Sequence, residues 1–67
     1  MNFGERLKKI RTERGLTQEK LATMVSMSTS EIQRSERRGY RPRLANAKKI
    51  ALALDVELKE LLGNEHE

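Results

Sequence analysis

What most restricts this chain is the lack of any chemical staple: its 67 residues include no cysteine, and the one histidine is His66. A disulfide is therefore impossible, and a zinc cage built from several thiolates or imidazoles can be set aside. A chain of this length buries only about 60% of the surface that it exposes when unfolded, and it has room for one core. Stability must come from elements packed face to face, so the spacing of the apolar residues decides what the chain can become.

That spacing is helical from end to end. Phe3, Leu7 and Ile10 recur on one face behind Asn2 and Glu5, whose separation is that of a capping box, and Gly15 supplies the stop. Thr17 is placed to cap a second helix with Leu21, Ala22 and Val25 as its apolar stripe, and Ser28 with Glu31 forms another capping box at the head of a third. Gly39 is suited to ending that third helix in the left-handed conformation. Pro42 fits the first turn of a fourth helix, on which Leu44, Ala47, Ile50, Ala51 and Leu54 share a face; Val56, Leu58, Leu61 and Leu62 follow before Gly63. No segment alternates with the period that a half-buried strand requires. The expectation is an all-α domain over residues 1–63, with helices at about 3–14, 17–25, 28–38, 43–54 and 57–62, and a disordered tail at 64–67.

Charge is uneven along the chain. Arg34, Arg37, Arg38, Arg41 and Arg43 are set against Glu36 alone, so this short segment equals the net charge of +4 of the whole chain, whereas Asp55, Glu57, Glu60, Glu65 and Glu67 are set against Lys59. A basic end and an acidic end suit a surface presented to a polyanion, and equally describe a solvated face of uneven charge. Several function classes drop out. No stretch is apolar over the roughly 18 residues that suggest a membrane span, and the N-terminus lacks the apolar run of a signal peptide, so a cytoplasmic protein is expected. No glycine-rich phosphate loop and no cluster of histidines or acids marks a catalytic centre. The expectation is a protein that is not an enzyme and takes no cofactor, metal or small-molecule ligand.

The segment from Thr17 to Arg37, TQEKLATMVSMSTSEIQRSER, closely resembles the helix-turn-helix of phage-repressor-like regulators, the Cro and cI type of the Xre family. The likeness continues through Gly4 to Arg11 ahead of it, and through Pro42, Leu44, Ile50 to Leu54 and Leu58 to Leu62 behind it, so residues 3–62 are covered. It implies a compact five-helix fold of the lambda-repressor type. It also implies sequence-specific binding of double-stranded DNA by a transcriptional regulator, a repressor of bacterial or phage origin, with the third helix in the major groove. The family's solution is a homodimer on a near-palindromic operator, with reading helices about 34 Å apart. Three positions depart from the family pattern. Ser26 stands where a turn glycine is usual, which puts the turn geometry in question. Ser35 stands where a large apolar residue normally packs, which predicts a thinner core. The glycine after the Glu-Arg pair is displaced by one, giving Arg38-Gly39, which predicts a third helix one residue longer.

Helical geometry alone sorts the third helix into faces. With Ile32 inward, at about 100° per residue, Ser28, Ser35 and Glu36 fall on the core side, and Ser30, Gln33, Arg34 and Arg37 on the opposite arc. Gln33 carries the paired donor and acceptor that match adenine, and Arg34 suits guanine or a phosphate. By resemblance, Thr29 and Ser30 take the family's first base-contacting positions, and Gln18 takes its phosphate clamp. Arg37, Arg38, Tyr40, Arg41 and Arg43 are placed to grip neighbouring phosphates. Arg11 and Glu36 match a family pair that forms a largely buried, structural salt bridge. Val56, Leu58 and Leu62 offer more apolar surface than a five-helix core obviously needs, and serve either as a partner face or as closure of the core. The rival reading keeps the fold but binds another protein, as adaptors, coactivators and some antitoxins of this type do; an exposed apolar groove would favour it. A membrane-surface helix is disfavoured, because the basic segment lacks an aromatic and leucine face.

Overall fold

A computed structural model describes residues 1–63; the expected tail at 64–67, with His66, lies outside the described residues. Helix α1 spans Phe3–Glu13, α2 Gln18–Met24, α3 Thr29–Ser35, α4 Leu44–Leu54 and α5 Leu58–Leu62, and no strand occurs among the described residues. The helix heads are made by local sequence. The Asn2 side-chain oxygen accepts from the Glu5 amide at 3.0 Å while the Glu5 carboxylate accepts from the Asn2 amide at 3.1 Å. Ser28 and Glu31 repeat the exchange at the head of α3, at 3.1 and 2.9 Å, and the Thr17 hydroxyl accepts from the Lys20 amide at 3.0 Å. Each of these bonds satisfies a backbone donor that the helix itself cannot.

Three helices end alike. After α1, α2 and α4 one residue turns left-handed, and two backbone N–H groups bond back to carbonyls of the last turn. The bonds of wider sequence reach run from Leu16 to Arg11, Met27 to Ala22 and Val56 to Ala51, at 3.1, 2.9 and 3.0 Å between nitrogen and oxygen. The left-handed residue is Gly15 in the first case, but Ser26 and Asp55, each at φ 57°, in the other two. Ser26 thus adopts the conformation in which glycine is usual. A Cβ there crowds the following carbonyl at a cost of about 1–2 kcal/mol.

The core is one cluster to which all five helices contribute. Phe3 and Leu7 of α1 meet Leu21 of α2, Ile32 of α3, Ile50 and Leu54 of α4 and Leu61 of α5, all essentially inaccessible. Helix α1 is also a strut whose arginines bind backbone carbonyls beyond the helix, two of them in distant parts of the chain. Arg6 donates to the Leu62 carbonyl at 3.3 Å, Arg14 to the Leu54 carbonyl, and Arg11 to the Leu16 carbonyl at 2.7 Å. Two of these acceptors close α5 and α4, where a cation meets the negative end of the helix dipole.

Two sequence expectations need correction. Helix α3 stops at Ser35 rather than at Arg38, with Glu36 as its cap at φ −89° and ψ 0°. Gly39, at φ 84°, therefore serves a later turn and not the helix end. The cause is tertiary. A Cβ on Gly4 would lie 2.6 Å from the Glu36 carbonyl and 2.7 Å from that of Arg37, so the start of α1 abuts the backbone there while Glu36 is drawn towards Arg11. Pro42, expected in the first turn of the fourth helix, instead precedes Arg43, the N-cap of α4. Its fixed φ suits the extended approach equally well.

Candidate nucleic-acid interface

Helices α2 and α3 are joined by a tight turn through Ser26 and Met27. Ile32 and Ser35 lie on the inner side of α3 and are buried; the Ser35 hydroxyl donates to the Glu31 carbonyl at 2.7 Å, so the small polar residue is satisfied within its own helix. Ser30, Gln33, Arg34 and Arg37 are exposed, and Thr29 at the helix head is half-buried. The Glu31 carboxyl beside them is held below its ordinary value. Hydrogen bonds from the Ser28 backbone and then the Ser28 hydroxyl do most of this, and the charges of Arg34 and Lys49 add to it against opposing desolvation. The acid therefore stays ionised as a cap near the positive end of the helix dipole.

The basic surface continues past α3. Arg37 and Arg38 lie in the turn that follows the helix, and Arg38, Arg41 and Arg43 are exposed along the connection to α4. Tyr40 is half-buried with its ring centroid 6.1 Å from that of Phe3. Its ring thus anchors the arginine-bearing loop to the core, a role that the sequence did not suggest.

Behind this surface sits a three-helix hub. Arg11 of α1 binds the Glu36 carboxylate in a fork, Nε to Oε2 at 2.6 Å and Nη2 to Oε1 at 3.1 Å, with side chains only 9% and 6% exposed. Gln18, the first residue of α2, donates from Nε2 to the same Glu36 Oε1 at 3.1 Å. Gln18 is half-buried and spends one amide proton on this contact. A second proton remains on Nε2 for an outside acceptor. The hub ties the head of α2 to the foot of α3, so the two elements carrying candidate contacts are held in one geometry.

Val56, Leu58 and Leu62 are half-buried and packed against the core. Sequence reasoning passed over Gly4, Arg6 and Arg14. A glycine in the first turn of a helix was the available signal for Gly4. Nothing local marked the two arginines, whose acceptors lie 56 and 40 residues away.

The helix-turn-helix family model matches residues 7–61, from the body of α1 into α5. The chain belongs to that helix-turn-helix family, in its Cro and cI type. The immunity repressor protein of Bacillus phage phi105 is 38% identical over 65 residues, which cover 97% of this chain and 45% of the repressor. The chain therefore spans less than half the length of that relative. Among solved structures, the restriction-modification controller protein C.AhdI from Aeromonas hydrophila has a TM-score of 0.83 at 42% identity, over 90% of this chain and 91% of its own. The P22 c2 repressor, solved in complex with a synthetic operator, has a TM-score of 0.86 at 28% identity, over 97% and 98%. The helix-turn-helix family is one of DNA-binding regulators rather than enzymes. Within this helix-turn-helix domain, no described helix is long and apolar enough to cross a membrane.

Proposed function

We propose that this chain binds double-stranded DNA sequence-specifically as a transcriptional regulator, a repressor, with α3 in the major groove. One observation carries the assignment: Ser30, Gln33 and Arg34 of α3 are exposed while Ile32 and Ser35 of the same helix are buried, and Arg37, Arg38, Arg41 and Arg43, which follow it in the chain, are exposed as well. Gln33 reads adenine, Arg34 takes guanine or a phosphate, and Thr29 and Ser30 touch bases at the head of the helix. Arg37, Arg38, Arg41 and Arg43 supply most of the affinity through phosphates, with Tyr40 holding their loop in register and adding its own contact. Gln18 offers its remaining amide proton to the backbone from the head of α2. A homodimer on a near-palindromic operator sets two such heads about 34 Å apart, in the bacterial cytoplasm where the operator is.

The protein-interaction alternative asks for an exposed apolar groove. The groove of about 340 Å3 beside α1 is lined by Arg6, Lys9, Glu13 and Glu60 as well as Met1 and Ile10, so four of its six lining residues carry a charge. Nothing about it favours an apolar peptide.

Selection of bound sequences from a random duplex pool at two salt concentrations tests the assignment. An inverted repeat is expected, with log affinity falling by about 0.9 per log unit of salt for each phosphate neutralised. Arg41→Ala should weaken binding to all sequences alike and lower that slope by about 1; Gln33→Ala should change which base is preferred at one position of each half-site. A pool that shows no enrichment, or two variants with the same effect, refutes these roles.

A further inference from the structure

We propose that Glu36 is a positioning residue for DNA binding: its carboxylate, held by Arg11, selects the orientation in which the Gln18 side-chain amide meets a phosphate of the DNA backbone. This rests on the phosphate contact proposed above for Gln18 and names what prepares it. The Glu36 carboxylate accepts from Arg11 Nε at 2.6 Å and from Arg11 Nη2 at 3.1 Å, and its Oε1 accepts from Gln18 Nε2 as well, at 3.1 Å. Oε1 thus receives two donors, one for each lone pair.

A glutamine amide has two ends of nearly the same shape, a nitrogen that donates and an oxygen that accepts, whereas a carboxylate only accepts. Turned round, the amide would set its oxygen against Glu36 Oε1, which is repulsive, so the nitrogen is the end that faces Glu36. Its second proton lies in the same trigonal plane and is aimed by the first bond. The backbone under Gln18 is fixed by the same arginine. Arg11 Nη1 donates to the Leu16 carbonyl at 2.7 Å, the Leu16 amide donates to the Arg11 carbonyl at 3.1 Å, and Thr17 caps α2 immediately before Gln18. Arg11 also has an electrostatic part. A lone carboxylate behind a phosphate contact would repel the phosphate, and the guanidinium cancels that charge in a pair that is almost wholly buried and little screened by salt. What the DNA meets is a neutral amide that is already oriented and is polarised by the anion behind it. The rotamer freedom of a long side chain is then lost on folding rather than on binding.

Replacing both charges at once, Arg11→Met with Glu36→Met, leaves the net charge unchanged, so an effect on affinity cannot come from altered charge against the phosphates. A duplex taken from the selected pool is titrated with the wild-type chain, this pair variant, Gln18→Ala, and the pair variant carrying Gln18→Ala. The pair variant is expected to bind about 2- to 13-fold more weakly per bound copy, the penalty for ordering one rotamer-rich side chain on binding. In the Gln18→Ala background the same replacement should change affinity by less than about twofold, because Glu36 then has nothing to position. An equal loss in both backgrounds means that the pair acts through the fold, and overturns the proposal while the DNA contacts stand. The free wild-type chain decides the matter if the pair variant does not fold. Nuclear magnetic relaxation should give Gln18 Nε2 an order parameter near the rigid value of about 0.85, against less than about 0.6 for the exposed Gln33; equal mobility of the two amides overturns the proposal as well. If Gln18→Ala binds like the wild type while Arg41→Ala weakens binding, the Gln18 contact falls and takes this inference with it, but the rest of the interface stands. If the pool yields no enriched duplex, the DNA assignment itself fails and the inference with it.

Discussion

Replacing Arg11 by methionine isolates the hub on which the interface is mounted. Methionine keeps most of the apolar volume of the stem while removing the guanidinium, so packing is spared and the charge is not. Glu36, 6% exposed at its side chain, then loses both arms of the fork and keeps only the Gln18 bond at 3.1 Å. The Leu16 carbonyl loses its 2.7 Å donor as well. Stripping one partner from a buried pair costs about 3–5 kcal/mol, because the other charge remains where water cannot reach it. A 67-residue domain at roughly 0.05–0.15 kcal/mol per residue has about 3–10 kcal/mol in total. The substitution therefore removes a third of the stability or more. At about 4–8 °C per kcal/mol for a domain of this size, the melting temperature followed by circular dichroism should fall by roughly 12–40 °C. The double variant Arg11→Met with Glu36→Met should recover much of the loss, since an apolar pair of similar volume replaces the orphaned carboxylate. A fall below about 1 kcal/mol for Arg11→Met matches an exposed pair and refutes the reasoning.

Ser26→Gly should stabilise the fold by about 1 kcal/mol in urea titration, because glycine takes the left-handed turn without the Cβ clash; an unchanged midpoint counts against strain at that turn. Gly4→Ala should lower the melting temperature severely, since its Cβ would sit 2.6 Å from backbone atoms of Glu36, and a near-native value would mean that α1 and the end of α3 separate freely. The depressed Glu31 carboxyl contributes stability that is present above the ordinary glutamate value of 4.5 and is lost as pH falls through its lower folded value. Glu31→Gln should accordingly flatten part of the acid limb of the stability profile, and an unaltered limb would show that the cap does not titrate with folding.

Much of this domain can be read from its residues in order, because the forces concerned act within a few positions of one another. The caps at Asn2, Thr17 and Ser28, the stop at Gly15 and the division of α3 into a core side and an exposed arc need only side-chain reach and helical pitch. A left-handed Ser26 could be suspected from its place in the turn, but whether it keeps the turn or breaks it depends on neighbours. Where α3 ends is set by neighbours in the same way. Ser35 through Arg38 have no local signal to stop, and it is Gly4, some thirty positions earlier, whose missing Cβ lets the start of α1 press on that backbone.

The order of residues alone determined that this chain must be helical, that its core lies along one stripe of each helix, and that its positive charge gathers at and after the third helix. These follow from periodicity and composition, which no partner can alter. Only the folded arrangement decided that Glu36 is shared between Arg11 and Gln18, that Tyr40 belongs to the core through Phe3, that Arg6 and Arg14 donate to the closing carbonyls of α5 and α4, and that Leu52 is left outside. Each depends on which distant surfaces come within a few ångströms, and that distance is set by how five helices stack, not by any one of them.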